Sequence, residues 1–318
     1  LLATGHSQQD IDKLRHTMSF SHRTMVIQIP RYLSYFEDYL KKNNIDVAAK
    51  ASRNELFEHF IYRKLDHEDK TLQADKKAIV KRILEKLALT MEIYQTNVLT
   101  KDELMTFFDE IKSDLKLVAL AQIDLESLYD HSILRNNIDT IEFDNSEFQE
   151  YLAAKEISRM PDPNRAAFGF AVDPDVKEIY STWFNTLTFL VDMQPDLLGQ
   201  LVDFSGIRIT DTFKVMDDGF LIFLSRVNPL FVLPDLRREL FTTTISYHTR
   251  AGQWLPGELT SALPGFFDLS LESFLKSATV EAEGKTGSAR FVPLGNIAYV
   301  VAYLLKDSAQ LDKPFWRE

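Results

Sequence analysis

The sequence contains no cysteine, which excludes disulfide bonds, thiolate zinc sites and a cysteine nucleophile. Glycine is scarce at 11 of 318 residues, roughly half its usual share of about 7 %. Folds that bind phosphates or dinucleotides use glycine at tight turns, so a helix-rich protein fits better. No run of about 18 uninterrupted apolar residues is present, and we expect no membrane-spanning helix. Without a signal sequence or cysteines, the expected location is cytoplasmic.

The charge is acidic overall and unevenly distributed. The chain has 36 Lys and Arg residues against 47 Asp and Glu residues, a net charge of −11. Residues 1–100 carry 16 basic and 13 acidic residues, whereas residues 101–150 carry 4 and 13. This break predicts a module boundary near residue 100. Binding to nucleic acids needs clustered positive charge, so nucleic acid is not an expected partner.

Hydrophobic residues recur every three or four positions in the first hundred residues, which predicts helices. Two capping-box patterns start such helices: Ser52 with Glu55, and Thr100 with Glu103. The helix predicted over residues 75–95 has a lysine-rich face, which we interpret as a solvated surface. The residues of this face are Lys76, Lys77, Lys81 and Lys86.

Residues 132–143 predict a β-hairpin, because two short β-prone runs flank a pair of asparagines that tolerate a tight turn. Ser146 and Gln149 form a third capping-box pattern, which predicts a helix over residues 148–159. Helices followed by a small hairpin and a further helix are typical of a winged-helix domain. The acidic charge of this region disfavours DNA binding by such a domain.

The chain beyond residue 161 alternates short aromatic-rich helices with prolines. This pattern predicts an α-solenoid, in which each helical pair buries its apolar face on the next pair. No strict repeat period is visible. The prolines that we interpret as breaks are Pro195, Pro229, Pro234, Pro256, Pro264 and Pro293.

The sequence shows no complete catalytic centre. Gly284-Lys285-Thr286 matches the end of a P-loop, but Thr279 stands where the loop needs its first glycine. No two of the seven histidines have the four-residue spacing that aims two imidazoles at one metal ion. No nucleophile elbow is present. We therefore expect no catalytic residue and no metal ligand in this chain.

A longer motif carries a family resemblance. Residues 143–154 read Phe-Asp-Asn-Ser-Glu-Phe-Gln-Glu-Tyr-Leu-Ala-Ala. This segment resembles the winged-helix motif Phe-x-His-x-x-Phe-Gln-Glu-Tyr-Leu-Ala-Ala of the NACHT branch of STAND signalling ATPases, with Asn145 in place of the histidine. Residues 27–33, which contain Pro30, are similar to the start of the family's first helical domain.

The resemblance implies a mainly α architecture in three parts. Residues 1–98 correspond to a helical domain, the end of the nucleotide-binding module and the lid. Residues 99–160 correspond to a winged-helix domain with a small β-hairpin, and residues 161–318 to a helical, α-solenoid sensor region. The family's nucleotide-binding domain is not in this sequence. ADP or ATP with Mg is therefore implied only where that domain is supplied, and no cofactor for this chain alone.

Two residues are assigned to the nucleotide by the resemblance. Pro30 has the position of the proline that packs on the base. Asn145 has the position of the histidine that contacts the phosphates, and its amide can donate a hydrogen bond but carries no positive charge.

The resemblance implies the regulatory and sensor portion of a STAND (NACHT) signalling NTPase, whose parent protein is an ATPase. Such a switch is held closed with ADP. It opens to homo-oligomerise when the C-terminal helical region detects a protein ligand, as in bacterial antiviral defence. The alternative is a stand-alone helical-repeat scaffold that binds proteins without nucleotide.

Overall fold

A computed structural model shows that the chain is mainly helical, as the sequence predicts. It divides into two compact units. Unit 1 extends to Gln194 and unit 2 begins at Pro195, except that residues 19–24 and 176–178 belong to unit 2. The boundaries predicted near residues 98 and 160 both fall within unit 1 and stay predictions. The structure describes residues 7–17, 30–66, 74–115, 133–175, 178–205, 222–224, 226–227, 229 and 232–307.

Unit 1 consists mainly of helices, with a small three-stranded antiparallel sheet. Its helices are α1 (Gln8–Thr17), α2 (Pro30–Lys42), α3 (Ile45–Lys50), α4 (Arg53–Asp66), α5 (Ala74–Ile93), α6 (Lys101–Leu115), α7 (Ser146–Ile157), α8 (Pro163–Ala171) and α9 (Phe184–Met193), with a 3₁₀ turn at Ser181–Trp183. The strands are β1 (Val98–Thr100), β2 (Leu134–Asn136) and β3 (Thr140–Phe143). A separate pair of two-residue strands is formed by β4 (Val172–Asp173) and β5 (Glu178–Ile179).

The three-stranded sheet has the order β1-β3-β2. The predicted hairpin is present, and Leu134 lies opposite Phe143. The turn was predicted one residue too early: Asn136 belongs to β2, and residues 137–139 connect the strands. Strand β1 was not predicted, and it pairs with β3 so that Val98 lies opposite Glu142. The sheet thereby connects the start of α6 to the segment that leads into α7.

Local hydrogen bonds fix where α4 and α6 begin. The Ser52 hydroxyl accepts from the Glu55 amide at 3.1 Å, and the Glu55 carboxylate accepts from the Ser52 amide at 2.6 Å. Thr100 and Glu103 make the same reciprocal pair at 3.2 and 2.8 Å. Each pair satisfies two backbone donors that a helix start leaves free. Both capping boxes are therefore confirmed.

Aromatic rings fill the centre of unit 1. Phe57 of α4 is fully buried. Its ring centroid lies 4.9 Å from that of Phe189 on α9 and 5.6 Å from that of Tyr151 on α7. It lies 5.9 Å from Phe148 on α7 and 5.6 Å from Tyr32 on α2. Four helices thus share one ring cluster, to which α7 contributes two rings.

Unit 2 is mainly helical in its described part. Its helices are α10 (Asp196–Ser205), α11 (Pro234–Ala251), α12 (Gly257–Ala262), α13 (Glu272–Glu283) and α14 (Ser288–Asp307), with 3₁₀ turns at Leu263–Phe266 and Leu269–Leu271. Helices α13 and α14 pack as a hairpin, and α14 also packs on α11. The predicted breaks are only partly right: Pro234 starts α11, and Pro293 lies inside α14.

Helix α14 is long and apolar enough to cross a membrane by length and composition, over Ser288–Leu305. One such helix is weak evidence, because core helices of soluble proteins meet the same test. About 39 % of this segment is buried inside the protein. The connection from α13 contains Gly284-Lys285-Thr286, and it joins two helices where a P-loop would follow a strand.

Candidate functional site

The candidate site is the start of α7, where the chain leaves strand β3. Asn145 has extended backbone angles and caps the helix: its side-chain oxygen accepts from the Glu147 amide at 3.1 Å. The predicted cap, Ser146, is instead the first helical residue. Phe143 and Phe148 flank this cap and are both buried. The cap therefore fixes the direction of α7 relative to the sheet.

Asn145 also connects α7 to the beginning of α2. Its amide nitrogen donates to the hydroxyl of Tyr32 at 2.9 Å. Tyr32 is buried and lies two residues after Pro30, the first residue of α2. One hydrogen bond thus brings the two predicted nucleotide-contacting positions into the same neighbourhood. The side chain of Pro30 lies outside the described part of the chain.

Charged side chains surround the residue before the cap. The Asp144 carboxylate accepts from Lys64 of α4 at 2.9 Å and from Arg135 of β2 at 3.1 Å. Lys64 also lies 5.4 Å from the ring centroid of Phe148. Two cations therefore flank the amino-terminal end of α7, where the helix dipole favours negative charge.

A buried ionic network lies along the other half of α7. Lys81 of α5 is only 4 % exposed and pairs with Glu58 of α4, which also accepts from the Tyr151 hydroxyl. Burial alone would raise the pKa of Glu58, but these two hydrogen bonds and the charges of Lys81 and Lys155 hold it below its usual value. The interpretation of Lys81 as solvated is therefore wrong.

The same network continues towards the end of α7. Glu85 of α5 is completely buried, and it faces Arg82 and Arg159 at 3.0 Å each. Arg82 also pairs with Glu156 of α7, which accepts from Lys86 at 3.2 Å. These ion pairs favour the antiparallel alignment of α5 and α7, because the buried carboxylates Glu85 and Glu156 meet their cations only in that alignment.

A second polar group, which we call the carboxylate cluster, consists of Glu92, Glu147, Glu150 and Asp192. Burial, with the nearby charge of Glu150, raises the pKa of both Glu92 and Glu147 to about 7. Burial also raises the pKa of Asp192 to about 7, against the opposing charge of Arg53. These carboxylates belong to α5, α7 and α9.

Several of these residues could not be predicted from the sequence. Glu85 and Glu92 lie among apolar residues of α5 that are buried on nearly every side. The sequence feature that could have indicated these two glutamates is their seven-residue separation, which places both on one helix face. Tyr32 gives no signal as a partner of Asn145, because 113 residues separate the two. Among the described residues, no group of three or more His, Asp or Glu side chains is arranged to hold a metal ion.

Comparisons with protein families, curated proteins and solved structures found no significant match to this chain. The site must therefore be interpreted from its own residues and their geometry.

Proposed function

We propose that this chain is the regulatory and sensor portion of a STAND (NACHT) signalling NTPase. In this proposal the switch is held closed with ADP and opens to oligomerise on ligand detection, in bacterial antiviral defence. The observation that carries the proposal is the hydrogen bond from Asn145 to Tyr32. It places the cap of α7 beside the start of α2, and the resemblance assigns a nucleotide contact to each of these positions.

The sheet supports a winged-helix domain over residues 99–160. Helix α6 follows β1, and the hairpin of β2 and β3 returns to pair with β1 before α7 begins. A winged helix uses such a hairpin as its wing. Residues 116–132, where a further helix of this domain would lie, are outside the described residues.

The proposed nucleotide site would be completed by a nucleotide-binding domain, which would bind ADP or ATP with Mg. On this side, the Asn145 amide donates to the buried Tyr32 hydroxyl, which holds Asn145 beside the start of α2. Lys64 and Arg135 add positive charge close by through Asp144. In this proposal Asn145 acts together with Tyr32, whereas the family's histidine acts through its charge.

The proposed sensor is unit 2, as an α-solenoid of helical pairs. Phe291 and Tyr299 lie eight residues apart on α14 and are 66 % and 58 % exposed. Trp254, also exposed, contacts the same helix at Gly295. Exposed aromatic side chains are common at protein interfaces, and this surface could receive a protein ligand.

The test is ADP affinity in the natural protein that contains this chain, measured by calorimetry. We expect a Gly-x-x-x-x-Gly-Lys-Ser/Thr segment in the residues that precede Leu1. Asn145→Ala should weaken ADP binding by about 1–3 kcal/mol, because it leaves a hydrogen-bonding partner unmet. The matched control is Asn137→Ala, since Asn137 is an exposed asparagine of the hairpin connection. It should leave ADP affinity unchanged.

Equal ADP affinity in the wild type and both variants would refute a nucleotide role for Asn145. Failure of the wild type to bind ADP would refute the proposed function as a whole. The exposed aromatic residues of unit 2 would then favour the second candidate, a helical-repeat scaffold that binds proteins without nucleotide.

A further inference from the structure

Helix α14 leaves one uncharged face open to solvent. The residues of this face, which spans an arc of about 100°, are Phe291, Gly295, Ala298, Tyr299 and Ala302. Phe291 is 66 % exposed and Tyr299 is 58 % exposed. No charged residue occurs in residues 291–305. The buried side of the same helix packs on α11, α12 and α13.

Trp254 adds a third aromatic ring to this face. Its ring covers Gly295, where a Cβ would lie 2.3 Å from it. The buried Asn296 holds the neighbouring backbone: its side-chain oxygen accepts from the Leu255 amide at 3.0 Å, and its side-chain nitrogen donates to the Gln253 carbonyl at 2.9 Å. These bonds fasten both sides of Trp254 to α14, while Trp254 itself stays 55 % exposed. We call this surface the aromatic strip; it consists of Trp254, Phe291, Gly295, Ala298, Tyr299 and Ala302.

The aromatic strip has the spacing at which one α-helix packs along another. Phe291, Gly295, Ala298 and Ala302 follow one another in steps of four, three and four residues. Because Phe291, Ala298 and Ala302 are exposed, no helix among the described residues packs along this line. The strip therefore has the pattern of a helix-pairing surface without its partner.

Large and small side chains are distributed so that the strip fits a second copy of itself. The rings of Phe291 and Trp254 lie in its first half, and Ala298 and Ala302 lie in its second half. When two α14 helices pair antiparallel about a twofold axis, Phe291 faces Ala302 of the second copy. The Trp254 ring, over Gly295, then faces Ala298 of the second copy. Each ring thus meets a small residue, whereas parallel pairing would place ring against ring.

Electrostatics favour the same arrangement. The chain has a net charge of −11, so two copies repel each other on the whole. The aromatic strip carries no charge and allows close approach. Antiparallel pairing also brings the positive amino-terminal end of each α14 dipole near the negative carboxyl-terminal end of the other.

The exposed aromatic area agrees with a weak dimer. With about 200 Å² for a whole aromatic side chain, the three exposed fractions leave about 350 Å² open on each copy. An interface of standard size buries about 800 Å² per partner. The three rings supply nearly half of this area, so we expect a Kd in the micromolar range.

We propose that the aromatic strip binds the same strip of a second copy of this chain, with the two α14 helices paired antiparallel. The inference deepens the proposed function, on which it rests for the protein partner of unit 2, and it names that partner. Association is measured without nucleotide. Its failure would leave ADP binding untouched, and failure of ADP binding would leave the dimer untouched.

The experiment is sedimentation velocity of the 318-residue chain over a series of concentrations. The wild type should pass from monomer to dimer as the concentration rises. Ala298→Glu should raise the dimer Kd by about tenfold or more, because it places an unpaired carboxylate against the Trp254 ring of the second copy. Ala298 is exposed in the single chain, so the variant should keep the wild-type circular dichroism spectrum.

The matched control is Ala289→Glu, the same change at an exposed alanine on the other side of α14. It should keep the wild-type Kd. A wild type that stays monomeric at every concentration, or equal Kd values in the two variants, would overturn the proposal.

Cysteine cross-linking tests the direction of pairing, because the chain has no cysteine of its own. A mixture of the Phe291→Cys and Ala302→Cys chains should form a disulfide-linked dimer under mild oxidation. Ala302→Cys alone should not, since its two copies would lie about 16 Å apart along the helix pair. A linked dimer of Ala302→Cys alone would overturn the antiparallel arrangement.

Flotation with phosphatidylcholine vesicles separates a second copy from a lipid bilayer as the occupant. The wild type should stay with the soluble fraction. Binding to the vesicles that is lost in Ala298→Glu, together with a monomer in solution, would overturn the proposal and assign the aromatic strip to a membrane surface.

Discussion

Phe57→Ala is the substitution that should most clearly separate the stability of unit 1 from that of unit 2. Phe57 is fully buried, and its ring meets rings from α2, α7 and α9. Truncation to alanine removes the apolar surface and leaves a cavity, because the surrounding helices relax only in part. All four helices that meet at this ring should lose stability together.

The magnitude follows from the burial and the ring contacts. Replacing a buried phenylalanine by alanine costs about 3–5 kcal/mol. In a unit of this size each kcal/mol shifts the Tm by roughly 2–4 °C, so the transition of unit 1 should fall by about 6–20 °C. Phe57→Leu keeps most of the volume but loses the edge-on ring contacts, and it should cost about 1–2 kcal/mol.

The assay combines calorimetry with hydrogen exchange read by mass spectrometry, because two units need not unfold as one. Peptides of α4, α7 and α9 should lose protection in Phe57→Ala, whereas peptides of α13 should keep it. The control is Phe291→Ala, which removes an exposed phenylalanine and should change stability by less than about 0.5 kcal/mol.

An unchanged transition in Phe57→Ala would refute the packing described for unit 1. An equal loss of protection in α13 would show that the units do not unfold separately.

Two further substitutions test the ionic network and unit 2. Glu85→Ala should destabilise unit 1 by about 2–3 kcal/mol in urea unfolding. Breaking a buried ion pair usually costs about 3–5 kcal/mol, and the cost is smaller here because the partner Arg159 is 42 % exposed. A change in unfolding free energy below about 0.5 kcal/mol would show that the Glu85 side chain is solvated in the folded protein. Gly295→Ala should displace the Trp254 ring, since a Cβ at residue 295 would lie 2.3 Å from it. The summed emission of the three tryptophans should change through Trp254, while stability stays within about 1 kcal/mol because alanine favours the helix. An unchanged spectrum would contradict the contact.

Features that depend on a few neighbouring residues could be predicted from the sequence. The capping boxes at Ser52 and Thr100 need only residues three positions apart, and both are present. The hairpin was also predicted, since its strands are joined by a short connection. Strand β1 was missed because its three residues form a strand only by pairing with β3, more than 40 residues later.

Tertiary partners decide the features that the sequence leaves open. Asn145 and Ser146 can both cap a helix, and the distant Tyr32 hydroxyl engages Asn145. The sequence shows no partner for Lys81, whereas in the structure Glu58 of α4 pairs with it. Neither choice can be made from local propensity, because the deciding group lies on another helix.

The ionic network also constrains how this sequence can diverge. Glu85 lies among Lys81, Arg82 and Arg159, so a neutral residue at position 85 would remove the buried carboxylate that these three cations share. Natural variants should therefore change these positions together, either as whole charged sets or as whole apolar sets. Joint substitution at these positions, combined with the Phe-Gln-Glu-Tyr segment of α7, would identify distant relatives whose overall similarity has been lost.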